Sequence, residues 1–177
     1  MIRLLLLRHA KSSWDSPDAT DFERPLNSRG MKTAPFMGQY MADHALIPDK
    51  ILCSTARRTR DTLAGLLPAF PNDHTIHLLQ RLYDSPERNY IDPIKVNGQA
   101  AKTVLLIGHC PTIQQTAIDL IGNGNPDLKD EIVAHYPTAA LAVIDFDREA
   151  WTDIQMHSGR VVAFFRPRDL QLVANNS

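Results

Sequence analysis

Short, continuous apolar runs alternate with stretches of helical spacing along most of the chain. Leu4-Leu5-Leu6-Leu7 is an apolar run of strand length that stops abruptly at Arg8-His9 and gives way to small and polar residues. A run bounded in this way reads as a strand buried on both faces. Residues 103–107 repeat the pattern and break at Gly108-His109-Cys110-Pro111. Residues 50–53 and 75–79 read as two further, shorter strands.

The intervening stretches predict helices. Residues 10–27 are polar and irregular. Asn27 or Ser28 then caps a helix to about residue 45, with Met31, Ala34, Met37 or Gly38, and Met41 on its apolar face. Pro35 predicts a kink or a late start. Ser54 or Thr55 caps a helix over 56–67, facing inward through Ala56, Leu63 and Leu67, and Pro68 and Pro71 stop it. Residues 82–90 read as a loop into a helix begun at Pro86. Another helix starts at Pro111 or Thr112 and runs to Ile121, with Gly122-Asn123-Gly124-Asn125 as its C-terminal loop. Residues 140–146 and 160–165 are strands with no helix between them, which predicts an antiparallel pair at or near a sheet edge.

Alternating strands and helices imply an α/β fold. The expected form is a three-layer α/β/α sandwich around a mostly parallel sheet with an antiparallel edge, as a single domain over 1–177. In such sheets ligands sit beyond the carboxyl ends of the strands. Three predicted strands end there on one side, in Arg8-His9, in Ser54 with Arg57 and Arg58 just beyond, and in His109. Arg8 and His9 either cap their strand or hold an anion at its end. The convergence of several strand ends is a stronger signal than any one of them.

Composition narrows the chemistry. The 177 residues carry a formal charge of −1, which gives no electrostatic case for nucleic acid or an anionic membrane surface. Any preference for phosphate must come from local clustering of arginines. Two cysteines, Cys53 and Cys110, are too few for a disulfide framework, so a cytoplasmic location is expected. Leu4–Leu7 is too short for a signal-peptide core, and no run reaches membrane-spanning length.

Two arginines and a histidine around a trigonal phosphoryl group, with a second histidine in line, satisfy the demands of phosphoryl transfer without a metal. The attacking imidazole must be neutral, and neighbouring cations are expected to depress its pKa. Competing signatures are weaker. Cys110 lacks the arginine six residues on that a cysteine phosphatase needs, since Thr116 stands there, and it reads as a small residue near the pocket floor. His74-x-x-His77 has no third ligand and reads as solvent-facing or capping. Trp14 and Trp151 fit either the core or a pocket rim.

Leu-x-Arg8-His9, Ser54-x-x-x-Arg58-x-x-x-Thr62 and Gly108-His109-x-Pro111 together are similar to the histidine phosphatase superfamily, in its phosphoglycerate mutase-like branch. More narrowly, Arg8-His9-Ala10-Lys11-Ser12-Ser13-Trp14, Asp21-Phe22-Glu23-Arg24-Pro25-Leu26-Asn27, Leu82-Tyr83-Asp84 and Pro137-Thr138-Ala139-Ala140 resemble the small SixA-type phosphohistidine phosphatases. The resemblance implies that His9 is the phosphorylated nucleophile and that Arg8, Arg58 and His109 hold the phosphoryl oxygens. It picks Arg58 rather than Arg57, leaving Arg57 and Arg60 as helix-surface charges. Ser12 and Gly108 would line the pocket. Asp84 matches the position of the proton donor in larger relatives, with Glu87 as a second candidate, while a plain loop role for Asp84 stays open. No cofactor or metal is implied. The expected partner is a protein carrying phosphohistidine, because the chain lacks the Gly-x-x-Glu-Gly run and the lid insertion of the small-molecule enzymes. The alternatives are a small phosphate ester as substrate, or a phosphate-binding module without turnover.

Overall fold

A computed structural model describes residues 1–15, 17–71 and 73–175, with side chains as far as residue 171 in the same ranges. Ser16, part of the expected irregular stretch, lies outside the described residues. The strands are β1 (Ile2–Arg8), β2 (Lys50–Ser54), β3 (Thr75–Leu79), β4 (Thr103–Gly108), β5 (Ile121–Gly124), β6 (Leu141–Phe146) and β7 (Gly159–Phe165). The helices are α1 (Ser28–Asp43), α2 (Arg57–Leu66), α3 (Ile91–Gly98), α4 (Thr112–Leu120), α5 (Pro126–Ala134) and α6 (Pro167–Asn175).

The strands form one sheet in the order β3-β2-β4-β1-β6-β7-β5. Pairing is parallel throughout except at β6, which is antiparallel to both β1 and β7. The reversed strand therefore lies two in from the edge, and the edge strand β5 runs parallel to β7. Successive side chains of a strand point to opposite faces. Leu4 and Leu6 accordingly pack with α3, α4 and α5 on one side, while Leu5 and Leu7 pack with α1, α2 and α6 on the other. This gives the expected three layers, and it explains why β1 is apolar at every position from Leu4 to Leu7.

Local differences from the sequence reading have physical causes. Helix α1 begins at Ser28, capped by Asn27, and continues through Pro35. Pro35 removes one donor from the helical ladder, and it does so on the exposed side of the helix, where Met31 is exposed as well. Met31 is not on the buried face, which is formed by Gly30, Thr33, Ala34, Met37, Gly38 and Met41. A Cβ on Gly30 would collide with the Lys11 carbonyl, so the helix sits down on this glycine and turns Met31 outward. Helix α2 starts at Arg57 without a side-chain cap, and it buries Arg58, Thr59 and Thr62 beside Leu63 and Leu66. No helix begins at Pro86, and α3 starts at Ile91. Residues 121–124 are the edge strand β5 rather than a C-terminal loop, and Asn125 caps α5 through the amide of Asp127. No helix among the described residues is long and apolar enough to cross a membrane.

Candidate active site

Strands β2, β4 and β1 are consecutive neighbours and parallel, so Ser54, His109 and Arg8-His9 come together at one end of the sheet. Arg8 pairs in register with Gly108, and the His9 amide donates to the Gly108 carbonyl at 3.1 Å. The ring centroids of His9 and His109 are 5.3 Å apart. Arg58 reaches the same region from the first turn of α2 and is buried despite its charge. The four strand-end residues singled out in the sequence are thus one cluster.

The His9 ring is fixed by Nδ1, which lies 2.8 Å from the Ala10 carbonyl. A carbonyl can only accept, so Nδ1 carries the proton and Nε2 keeps its lone pair. Burial is the largest influence on the His9 pKa and lowers it. The adjoining His109 ring and the Arg58 and Arg8 guanidiniums lower it further against the Ala10 hydrogen bond, to about 3. His109 is pushed down to about 4, again by burial first and then by Arg58. Both rings are therefore neutral at pH 7. The sequence reading attributed this to neighbouring cations, whereas removal from water leads and the cations add to it.

Two buried nitrogens in the cluster, Arg8 Nε and His109 Nδ1, have no hydrogen-bond partner among the described residues. Their other atoms are held. Arg8 Nη1 donates to the Tyr136 carbonyl at 2.8 Å, and His109 Nε2 lies 2.7 Å from Ser54 Oγ. Leaving such groups unmade costs roughly 1–3 kcal/mol each, and an anion can repay it by accepting from both. The arrangement is chemically that of a neutral imidazole beside convergent cationic and N–H donors.

The spacing Ser54, Arg58, Thr62 has a structural meaning beyond the motif. Ser54 closes β2, while Arg58 and Thr62, four residues apart, lie on one face of α2. Ser54 meets His109, and Thr62 Oγ1 accepts from the Ala10 amide at 3.0 Å while donating to the Arg58 carbonyl at 2.7 Å. Arg57 is half exposed and lies beside Asp61 at 3.8 Å, on the helix surface as expected.

Asp21, Arg24 and Tyr83 are parts of the site that the sequence reading left without a role. Arg58 Nη1 donates to the Asp21 carbonyl at 2.7 Å and Nη2 to its carboxylate at 3.2 Å. The same carboxylate accepts from Arg24 at 2.9 Å and from the Tyr83 hydroxyl at 3.0 Å. Burial works to raise the Asp21 carboxyl, but the Arg24, Tyr83 and Arg58 contacts prevail and hold it below its ordinary value, hence ionised. The Tyr83 ring stands edge-on to His109 with centroids 5.8 Å apart. Arg24 also donates to Ser12 Oγ at 2.6 Å and stacks over the exposed Trp14. Ser12 is buried and tied to this loop, and Trp14 is a rim residue, whereas Trp151 belongs to the core. Asp21, Arg24 and Tyr83 stand in stretches that carry the SixA resemblance, but nothing in those stretches alone assigns them a role.

Both candidate proton donors carry side-chain contacts. Asp84 is exposed and accepts from Gln80 Nε2 at 3.2 Å, and with no helix at Pro86 it caps nothing there. Glu87 is paired with Arg81. Gly108 lies against Tyr90, whose ring would be 2.7 Å from an added Cβ. Cys110 is half-buried with Sγ 3.6 Å from the Tyr136 carbonyl, and His74 Nδ1 lies 2.8 Å from the Pro48 carbonyl.

Comparison with known proteins agrees with this geometry. The profile of the histidine phosphatase superfamily (branch 1) matches residues 4–85. An uncharacterized protein of Mycobacterium leprae is 34% identical over 166 residues, which are 92% of this chain and 100% of that protein. A candidate phosphohistidine phosphatase SixA of Agrobacterium tumefaciens has a similar structure, with a TM-score of 0.75, 31% identity, and coverage of 93% of this chain and 98% of that one. Another from Nakamurella multipartitia gives a TM-score of 0.78 and 28% identity, covering 94% and 96%. The chain belongs to the histidine phosphatase superfamily, branch 1, in its SixA-like group. Its reaction class is that of a phosphatase.

Proposed function

We propose that the chain removes phosphoryl groups from phosphohistidine on a protein, through a phosphohistidine formed on its own His9. His9 Nε2 attacks phosphorus, the bond to the leaving nitrogen breaks with its electron pair, and water then cleaves the His9–phosphorus bond to regenerate the imidazole and release inorganic phosphate. Arg8, Arg58 and His109 hold the three phosphoryl oxygens as negative charge spreads over them.

The observation that carries this reading is the state of His9, with its proton fixed on Nδ1 toward Ala10 and its Nε2 lone pair kept neutral by burial. The substrate class is supported by the proton donors. Asp84 and Glu87 are both turned to other partners, and Asp21 is held ionised by Arg24 and Tyr83. A site without a ready acid suits a leaving group that departs without being handed a proton. Phosphohistidine can take its proton on the distal ring nitrogen beforehand and leave as neutral imidazole, whereas an alkoxide needs an acid.

The test compares phosphate release from a phosphohistidine peptide, an aryl phosphate and an alkyl phosphate, together with acid-labile labelling of the protein. The expected result is rapid turnover of the peptide, slower turnover of the aryl ester and little of the alkyl ester. Label should form in the wild type and be absent in His9→Ala. Efficient alkyl ester hydrolysis would transfer the assignment to a small-molecule phosphomonoesterase, and binding without release would make the chain a phosphate-binding module.

A further inference from the structure

Beside the phosphoryl cluster lies a separate groove of about 670 Å³. It is lined by Arg8, Lys11, Arg29, Arg166 and Arg168, with Asp169 the one carboxylate on its wall. The topology brings these residues together. Because β6 is antiparallel to both β1 and β7, β7 ends at the same rim of the sheet as Arg8, and α6 begins there. The start of α1 reaches the same rim through the Asn27 amide, which donates to the Lys11 carbonyl at 3.0 Å.

These cations differ in how they are already used. Arg166 is neutralised within the fold by Asp169 at 2.6 Å and Glu131 at 3.5 Å. Lys11, Arg29 and Arg168 are exposed and have no side-chain partner among the described residues. Arg29 stands in the first turn of α1, which holds no acidic residue, and Arg168 stands in the first turn of α6. The positive end of a helix dipole disfavours a cation and favours an anion. Two helices thus place an arginine where their own backbone opposes it, and both open on one groove. In a chain with a formal charge of −1, this concentration is local.

We propose that the groove binds an acidic polypeptide segment flanking the phosphorylated histidine of a protein substrate. The assignment rests on the phosphoprotein reading above and adds to it a preference for phosphoryl sites neighboured by Asp and Glu. The free cations come from three separate segments, the loop after β1 and the first turns of α1 and α6, and His135 lies on the same wall. Three cations carried on three segments match carboxylates distributed along a chain better than one compact anion. Arg8 belongs to both regions, so a segment in the groove is continuous with a phosphoryl group at His9.

The test uses the full chain and the double variant Arg29→Glu/Arg168→Glu, neither residue being in the phosphoryl cluster. Both substitutions put an acid in a first turn, which favours the helices, and thermal unfolding verifies the fold. The substrates are a phosphohistidine peptide with Asp and Glu flanks, the same peptide with Ser flanks, and phosphoimidazole. The variant should lose about tenfold or more in kcat/KM on the acidic peptide at low salt, chiefly through KM, and stay within about twofold on the other two. Salt should depress the wild type on the acidic peptide most. Equal wild-type rates on the two peptides, or an equal loss on phosphoimidazole, would overturn the groove and leave the phosphohistidine reading intact. Binding of the unphosphorylated acidic peptide, read by fluorescence anisotropy, separates the reverse case. If that binding is present in the wild type and lost in the variant while no phosphohistidine is hydrolysed, the groove stands and the substrate reading falls. Tighter binding of an RNA oligonucleotide of equal charge would overturn the acidic-peptide assignment.

Discussion

Ser54 Oγ and His109 Nε2 lie 2.7 Å apart, joining the end of β2 to the loop after β4. Ser54 is completely buried and also accepts from the Ala56 amide at 3.3 Å. Of these two partners only Nε2 can accept the buried hydroxyl proton, so the serine donates to it, which sets the His109 proton on Nδ1, the nitrogen without a partner among the described residues. Ser54→Ala should free the ring to change tautomer and rotate. We expect kcat to fall about tenfold to a hundredfold with KM little changed, since such supporting contacts typically carry that factor in site geometry. Loss of the hydrogen bond should cost about 1 kcal/mol in unfolding free energy. A fall in stability with unaltered kcat would restrict Ser54 to the fold.

The two neutral histidines make stability depend on pH in a defined direction. A buried histidine whose folded pKa lies below its unfolded value contributes fully above pH 6.5 and loses that contribution as pH falls toward the folded value. The folded values are about 3 for His9 and about 4 for His109, so the window runs from pH 6.5 down to them. Within it each histidine withdraws up to about 1.4 kcal/mol per pH unit. Denaturant unfolding between pH 7 and 5 should show a steep loss in the wild type and a shallower one in His9→Ala. NMR titration should place the His9 midpoint below pH 5, and a midpoint near 6.5 would contradict the burial argument.

Arg58 and Arg57 are adjacent in the chain but opposite in surroundings. Arg58→Ala should raise the barrier by about 2–4 kcal/mol, as for loss of one donor to a developing oxyanion. Arg57→Ala, at a surface pair, should change activity and stability by less than about 1 kcal/mol. Asp21→Asn keeps the backbone contact to Arg58 and weakens the side-chain one, so an intermediate loss of about tenfold in kcat/KM is expected. Steady-state kinetics on one substrate ranks the three variants, and a larger loss in Arg57→Ala than in Arg58→Ala would reverse the assignment.

The parts of the fold legible in the sequence were those whose burial is two-sided. β1 and β4 are buried along nearly their whole length, so their apolar runs are unbroken and their ends, Arg8-His9 and His109, stand out. α5 was invisible because only Ile132 of its nine residues is buried, which leaves no apolar period to read. β5 contains Gly-Asn-Gly and becomes a strand through its pairing with β7, a contact between distant segments. The Asp21 cluster was illegible for the same reason. Residues 21, 24, 58 and 83 meet only in space, and no spacing rule connects a loop carboxylate to a tyrosine 62 positions away. The surroundings of Asp84 were likewise out of reach, because the turn before it directs the Tyr83 hydroxyl to Asp21 and places Asp84 beside Gln80.

The carboxylates near the rim provide the sharpest test of the substrate class. A general acid usually contributes about a hundredfold to ten-thousandfold when the leaving group is basic. Asp84 is exposed and accepts from Gln80, and Glu87 is paired with Arg81, so the phosphohistidine reading assigns neither of them the leaving atom's proton. Asp84→Asn and Glu87→Gln should therefore leave phosphohistidine and aryl phosphate turnover within about twofold of the wild type, since lost surface contacts are worth little. The wild type should already be poor on an alkyl phosphate. Tyr83→Phe should affect the phosphohistidine rate more than either, because it removes a hydrogen bond to the Asp21 carboxylate that positions Arg58. The decisive measurement is the ratio of alkyl to aryl phosphate rates in Asp84→Asn. An efficient wild-type alkyl rate lost selectively in that variant would identify Asp84 as the acid and a small phosphate ester as the substrate.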